Sequence, residues 1–346
     1  MSLDGLLLTS ASAERFAGML IAALRLDLPT VCAAPAIPPL SASLVALGLA
    51  PSTGDPGSTA VSLIESGGPC PRGLVDDHSL ANALRAGVAA SGGPEILVHL
   101  AAIAREAGTA GFNQMVRVLA SEVPEAGPEW LREYGVAGLL SSLGDTLHDI
   151  PTVAGNLKKN LPSAPPAPEE HSRLAFIRAR ASGAEAVCHV RKEVTEAAGE
   201  CRVFGSEKEA LSSVNQGEIG EGAMLVVGGC GPRGGPGLLR LHALGRSLVE
   251  AGLEVPVLTD GLAPHDAVGT WISLFTPEAA TGGVLSLLRD GDTLRIDLDE
   301  GRIRTGVGAK EFESREPREF PNSAGTAYAV RYARTALPAL EGAGFG

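Results

Sequence analysis

The stretch Gly222–Asp260, GAMLVVGGCGPRGGPGLLRLHALGRSLVEAGLEVPVLTD, decides the fold: it reads as strand, glycine-rich loop, helix and strand. Ala223–Val227 is a short apolar run ending at glycines, too short for a buried helix. Gly228–Gly237 holds six glycines and two prolines and cannot be helix or regular sheet. Leu238, Leu241, Leu244, Leu248 and Val249 recur at helical spacing, which predicts a helix over Leu238–Glu250 with Gly252 as its stop. Val255–Thr259 is a second strand, and Asp260-Gly261 a turn. Glycines leading into a helix bring bare backbone N–H groups to a positive dipole end, an expected seat for an anion. A tight turn with no ligand is the alternative.

Around this stretch lie 346 residues, enough for about two domains. Aromatics are 4%, so the core must be built from Ala, Val, Leu and Ile. A net charge of −12 argues against nucleic acid or an anionic membrane as partner, though not against a small anionic ligand held locally. The five cysteines are scattered, without a CxxC pair, and Met1–Ser10 carries no basic stretch of a signal peptide. Free thiols in a reducing cytoplasm are expected. The histidines show no ligand spacing, so no metal and no cofactor are expected.

Ser12–Leu26 is predicted as an amphipathic helix capped by Ser12, with helices over Asp77–Ala90 and Glu95–Ala107. Pro29–Pro39 reads as loop, and Ala60–Ile64 as a short apolar run between loops. Leu161–Ser172, with four prolines, is the best boundary between domains. Beyond it, Val187–Val190, Arg202–Phe204, Met224–Val227, Val255–Leu258, Trp271–Phe275 and Thr293–Leu298 read as strands, and Thr326–Ala339 as a closing helix.

Several of these pieces together resemble the dihydroxy-acid and phosphogluconate dehydratase family. They are CRVFGSEKEALSSVNQGEIGEGAMLVV from Cys201, GPRGGPG at Gly231–Gly237, TDG at Thr259–Gly261 and TPEAATGGVLSLLRDGDTLRIDL at Thr276–Leu298. SGGPEILVHLAAIAREAG at Ser91–Gly108 is similar to the helix that the family opens with GGSTN. The resemblance implies an α-rich remnant of an α/β domain over 1–160, a linker over 161–172, a β-barrel domain over 173–320 and a C-terminal helix over 321–346. It also implies dehydration of a 2,3-dihydroxy acid at an iron–sulfur cluster and magnesium, with a serine as base.

The departures fall on that chemistry. No cluster-ligand cysteine of the family maps onto this chain. Cys230 stands at the family's metal-binding glutamate, Pro264 at its catalytic serine and Leu274 at its histidine. The expectation is therefore metal-independent lyase, isomerase or cyclase chemistry on a small polar or carboxylate-bearing molecule. Cys230, with a pKa lowered by the helix start, and His265 are candidate nucleophile and base, with Asp260 or Asp266 as orienting acid. Gly231, Arg233, Gly234 and Gly235 are the candidate ligand-binding loop. A buried, space-filling Cys230 and a solvated His265–Asp266 turn are the plain alternatives. Two further functions stay open. One is a non-catalytic partner or scaffold. The other is a nucleotide binder, from Gly229–Gly234 as GxGxxG with Asp260 after it, against which no second βαβ pattern is read nearby. A homodimer is expected, from apolar faces of the early helices.

Overall fold

The computed structural model describes residues 3–109, 111–123, 125–166, 173–179, 183–190, 194–235, 237–320 and 325–345. They form two compact units, Met1–Arg173 and Leu174–Gly346. Residues 167–172 of the expected linker and 321–324 of the expected last helix lie outside the described residues.

In the first unit β1 (Leu6–Thr9) pairs in parallel with β2 (Thr30–Ala33) through helix α1 (Ala13–Leu26). The Ser12 hydroxyl accepts from the Arg15 N–H, and Phe16, Leu20, Ala23 and Leu24 fill the buried face of α1, as the spacing predicts. The stretch read as loop over Pro29–Pro39 contains β2 and the start of α2 (Pro38–Ala46). Ala60–Ile64 is not a separate run. It lies inside α3 (Pro56–Glu65), which Asp55 caps and Pro56 opens. Next come α4 (Pro71–Leu74), α5 (Asp77–Ala89), α6 (Glu95–Ala107), α7 (Phe112–Glu122) and α8 (Pro128–Leu143), the last broken at Gly135 with φ of 62°. A small antiparallel pair, β3 (Pro151–Thr152) and β4 (Gly155–Asn156), follows.

The second unit is a closed eight-stranded barrel. Its strands are β5 (Arg173–Ala179), β6 (Ala184–Val190), β7 (Glu196–Phe204), β8 (Ala223–Val227), β9 (Val257–Thr259), β10 (Trp271–Thr276), β11 (Thr293–Asp297) and β12 (Arg302–Thr305). Around the barrel they run β10-β6-β5-β12-β11-β7-β8-β9. Helices α9 (Glu207–Asn215) and α10 (His242–Glu250) join β7 to β8 and β8 to β9, and both strand pairs are parallel. The chain thus carries two successive βαβ steps, where the sequence reading found only one. The polar face of α9 had masked the first. Period-two alternation explains the placement of β8. Met224 and Val226 point to the lumen with Cys201, Val203, Ile272 and Ile296. Ala223, Leu225 and Val227 point outward onto Val214, Leu244 and Leu248.

Beyond β10 the chain forms α11 (Val284–Leu287), then β11 and β12, then α12 (Ala309–Ser314) and α13 (Ala327–Thr335). The last helix is shorter than read, ending before Pro338. No described helix is long and apolar enough to cross a membrane.

The segment after α12 is fastened by charge. Arg315 grips Asp292 with both η nitrogens, at 2.5 and 3.0 Å, and both side chains are largely buried. The bond holds the Asp292 carboxyl below the usual carboxylate range, against the effect of burial. The pair's stabilisation is therefore complete above the unfolded pKa, about 4, and fades as pH falls through the lower folded value. Arg315→Ala should cost about 2–4 kcal/mol in urea unfolding at pH 7. The difference from wild type should shrink as the pH falls below 4. An unchanged midpoint at pH 7 would remove the anchor's importance.

Candidate functional site

The Gly228–Leu241 segment leaves β8 and makes a longer loop than the sequence suggested, because α10 begins at His242 rather than Leu238. Leu239 instead bonds back to Cys230 and Leu262, and Leu241 to Leu262, tying this loop to the one after β9. The expected anion seat divides into two sets of N–H groups, one in the loop and one at the start of α10, and both are filled from within. Asp260, fully buried, accepts from the N–H groups of Cys230 at 2.8 Å, Ala279 at 3.0 Å and Gly229 at 3.1 Å. At the start of α10, the N–H groups of Ala243 and Leu244 donate to Glu207 Oε1 at 2.9 and 3.0 Å. Carboxylates of the chain itself occupy the places where a phosphate or substrate carboxylate was expected.

Cys230 is buried among apolar side chains, its Sγ 3.7 Å from the Gly228 carbonyl. Its pKa was expected to fall. Burial, with the Asp260 charge beside it, instead pushes the thiol up to about 12. The helix start that was to lower it is answered by Glu207. His265 and Asp266 are exposed. Their loop folds back on α10, with Pro264 against Gly245 and the His265 ring 6.0 Å from that of His242. The four proposed acid–base residues thus fall into two groups: Cys230 with Asp260 inside, His265 with Asp266 outside.

Arg233 donates from Nε to the Ala336 carbonyl at 2.6 Å, so the loop arginine holds the C-terminal segment. Gly231 has no room for a side chain, since a Cβ there would lie 2.7 Å from Glu278 Cγ. Gly234 and Gly235 are buried in the same turn, the former with φ of 127°. Leu274, at the position where the resemblance puts a histidine, is buried with φ of 59°, a left-handed conformation costly for leucine, and donates its N–H to the Gly261 carbonyl.

One residue of this region escaped the sequence reading. Glu278, just after β10, is 1% exposed, and its Oε1 has no hydrogen-bond partner among the described residues. Burial raises its pKa, and the charge of Asp260 adds to this, while Arg233 pulls it down. Burial also raises Asp260, against its three N–H donors. Of the two acids, Glu278 has no donor at Oε1 and Asp260 has three, so the proton is held more firmly at Glu278. The only signal in the sequence was a glutamate next to Pro277 in an otherwise apolar stretch.

The metal centres implied by the resemblance do not fit these residues. Among the described residues no three His, Cys, Asp or Glu side chains converge as metal ligands would. At the resembled position stands a protonated thiol, and the nearest carboxylate is taken up by backbone N–H groups.

The thiols make this geometry testable. Cys32, Cys188, Cys201 and Cys230 are buried and Cys70 is partly exposed. A chromogenic disulfide reagent should label about one thiol per native chain, and Cys70→Ser should abolish that fast phase. Fast loss of a second thiol that disappears in Cys230→Ala would mean that Cys230 is reactive after all.

Comparison with known proteins places this geometry. Residues 170–343 match the dihydroxy-acid/6-phosphogluconate dehydratase C-terminal family model. The dihydroxy-acid dehydratase of Citrifermentans bemidjiense is 30% identical over 276 residues, covering 72% of this chain and 50% of that protein. The enzyme of the same name from Methanoregula boonei is 32% identical over 303 residues, covering 79% and 54%. That of Geobacter metallireducens is 29% identical over 316 residues, covering 83% and 57%. The chain spans about half the length of the curated relatives it matches. With a barrel match of that extent and identity running on into the helical unit, the chain belongs to the dihydroxy-acid/6-phosphogluconate dehydratase family.

Proposed function

We propose that the chain acts on a small hydroxylated, carboxylate-bearing molecule by acid–base chemistry of the lyase, isomerase or cyclase kind. The family's hydro-lyase lineage supports the reaction class. The observation that carries the reading is Glu278, a buried carboxyl with an unsatisfied oxygen and a raised pKa, held beside Asp260. A buried acid without a partner costs stability, and such groups concentrate where chemistry is done. In this reading Glu278 delivers its proton to a departing or migrating substrate oxygen, and Asp260 fixes the loops around it. The step uses residues of this chain alone. Free cysteines and net negative charge fit a reducing cytoplasm.

A second reading, a non-catalytic partner or scaffold, draws on the two N–H seats filled from within and on the protonated Cys230. The same filled seats disfavour the nucleotide reading, because a pyrophosphate needs those N–H groups.

Glu278→Gln separates the first two. Turnover of a panel of 2,3-dihydroxy and sugar acids, followed as keto-acid formation, should fall about 100-fold or more in kcat/KM. Wild-type activity should decline as pH rises through the raised pKa of Glu278. The stability change should run the other way. A carboxyl with a raised folded pKa contributes stability below its unfolded value, about 4.3, and loses it as pH rises through the folded value. Glu278→Gln should therefore raise Tm at pH 8 and leave it nearly unchanged at pH 4. Wild type inactive on every panel member, with that Tm pattern intact, would favour the scaffold.

We further propose a homodimer formed through the first unit, where Leu7, Leu26, Val61 and Ile64 on β1, α1 and α3 are 36–57% exposed. Light scattering at micromolar concentration should give twice the 35.3 kDa chain mass, and Val61→Glu should shift it toward the monomer. A monomeric wild type contradicts the dimer.

A further inference from the structure

The barrel encloses an apolar cavity of about 90 Å³ that none of the chemistry above uses. Phe275, Leu285, Leu294, Ile303 and Phe312 form most of its wall. Among the described lining residues none is charged, and Thr305 is the one polar side chain. Its Oγ1 already accepts from the Val307 N–H. A volume of this size exceeds a water molecule's share of the liquid, about 30 Å³, roughly threefold, and an apolar site offers water no partners. Eight-stranded barrels are either filled by side chains or left with room for one small ligand.

The wall on one side is not part of the barrel. Phe312 belongs to α12, a six-residue helix with no buried residue. Polar bonds fasten the segment behind it. Arg315 binds Asp292, the Glu316 carbonyl accepts from Arg289, and the Arg318 N–H donates to Ser286. Ile303 and Phe312 are half-buried, so the cavity meets solvent at this side, beneath α12. Movement of α12 alone gives access without breaking a barrel strand pair.

We propose that this cavity is a binding site for a short, uncharged aliphatic group of about three or four carbons, entering beneath α12. The size follows from the volume, since a dry cavity of about 150 Å³ accommodates benzene and this one is smaller. The absence of charge in the described lining, with Thr305 as its one polar side chain, sets the chemistry. The site stands on different residues from Glu278, so it holds or falls independently of the proposed reaction.

The test is a methyl NMR titration of the full chain with 1-butanol, and with glycerol as the polar control. Leu285, Leu294 and Ile303 methyls should shift saturably with 1-butanol, while Leu84 and Leu100 of the first unit should not. Glycerol should move none of them. Ile303→Phe, which fills the cavity, should weaken binding at least tenfold. Phe312→Ala, on the segment outside the strands, should admit benzyl alcohol, which the native cavity excludes. Linear, unsaturating shifts, or shifts of equal size at Leu84 and Leu100, overturn the site. So does a folded Ile303→Phe that binds 1-butanol as wild type does. Should Ile303→Phe fail to fold, unchanged exclusion of benzyl alcohol by Phe312→Ala overturns it instead.

Discussion

The arrangement of the second unit depends on one buried carboxylate. Asp260 stands at the end of β9 and takes N–H groups from Gly229 and Cys230 after β8 and from Ala279 after β10. Three neighbouring strand ends are thereby joined at one point inside the protein, where a lost donor is not replaced by water. The neighbours inherit their properties from it. Cys230 is held as a thiol by burial and, after that, by the acid beside it. Glu278, adjacent to Ala279, is brought into a dry site beside Asp260, and burial and that neighbour raise its pKa. Gly231 must lack a side chain because Glu278 occupies the space.

The same economy appears at α10. Its opening N–H groups are satisfied by Glu207 of α9, so the two helices on the outside of β8 are tied by a charge–dipole contact as well as by Val214, Leu244 and Leu248. The acidity of the chain is thus partly an internal matter. Some of its carboxylates neutralise backbone dipoles that an outside ligand would otherwise have met.

The strands read from apolar runs, Ala223–Val227 and Trp271–Phe275 among them, were legible because buried parallel strands need continuous apolar sequence. Strands β5 and β12 were not: in RIRT one isoleucine sits between arginines, and the short apolar run of RLAFIRA follows directly on the proline-rich stretch read as linker. The start of α10 was misplaced because Leu238 and Leu241 have helical spacing, yet the backbone of Leu239 and Leu241 is tied to Cys230 and Leu262 in a loop. The segments after β8 and β9 were legible as loops, but the surroundings of their side chains were not. Whether Cys230 is a thiolate or a thiol depends on how deeply it is buried and which charge lies beside it, and neither is local in sequence. Glu278 was invisible for the same reason. A glutamate after a proline says nothing until the fold shows that no donor reaches its oxygen.

The strand order of the barrel has a consequence for how the chain must be made. Strands β7, β8 and β9 pair in the order of synthesis through short helical steps. Strands β5 and β6 come first and neighbour each other, but wait for their other partners, β12 and β10, with Arg178 opposite Arg302 and Cys188 opposite Ile272. Bringing such distant segments together is the slow, entropically costly part of folding. Until β10 and β12 leave the ribosome, the early strands have edges open to any passing chain. Arg173 and Arg178 on β5, the latter paired with Glu185 of β6, place charge along that waiting edge, which discourages a stranger's strand from adding to it.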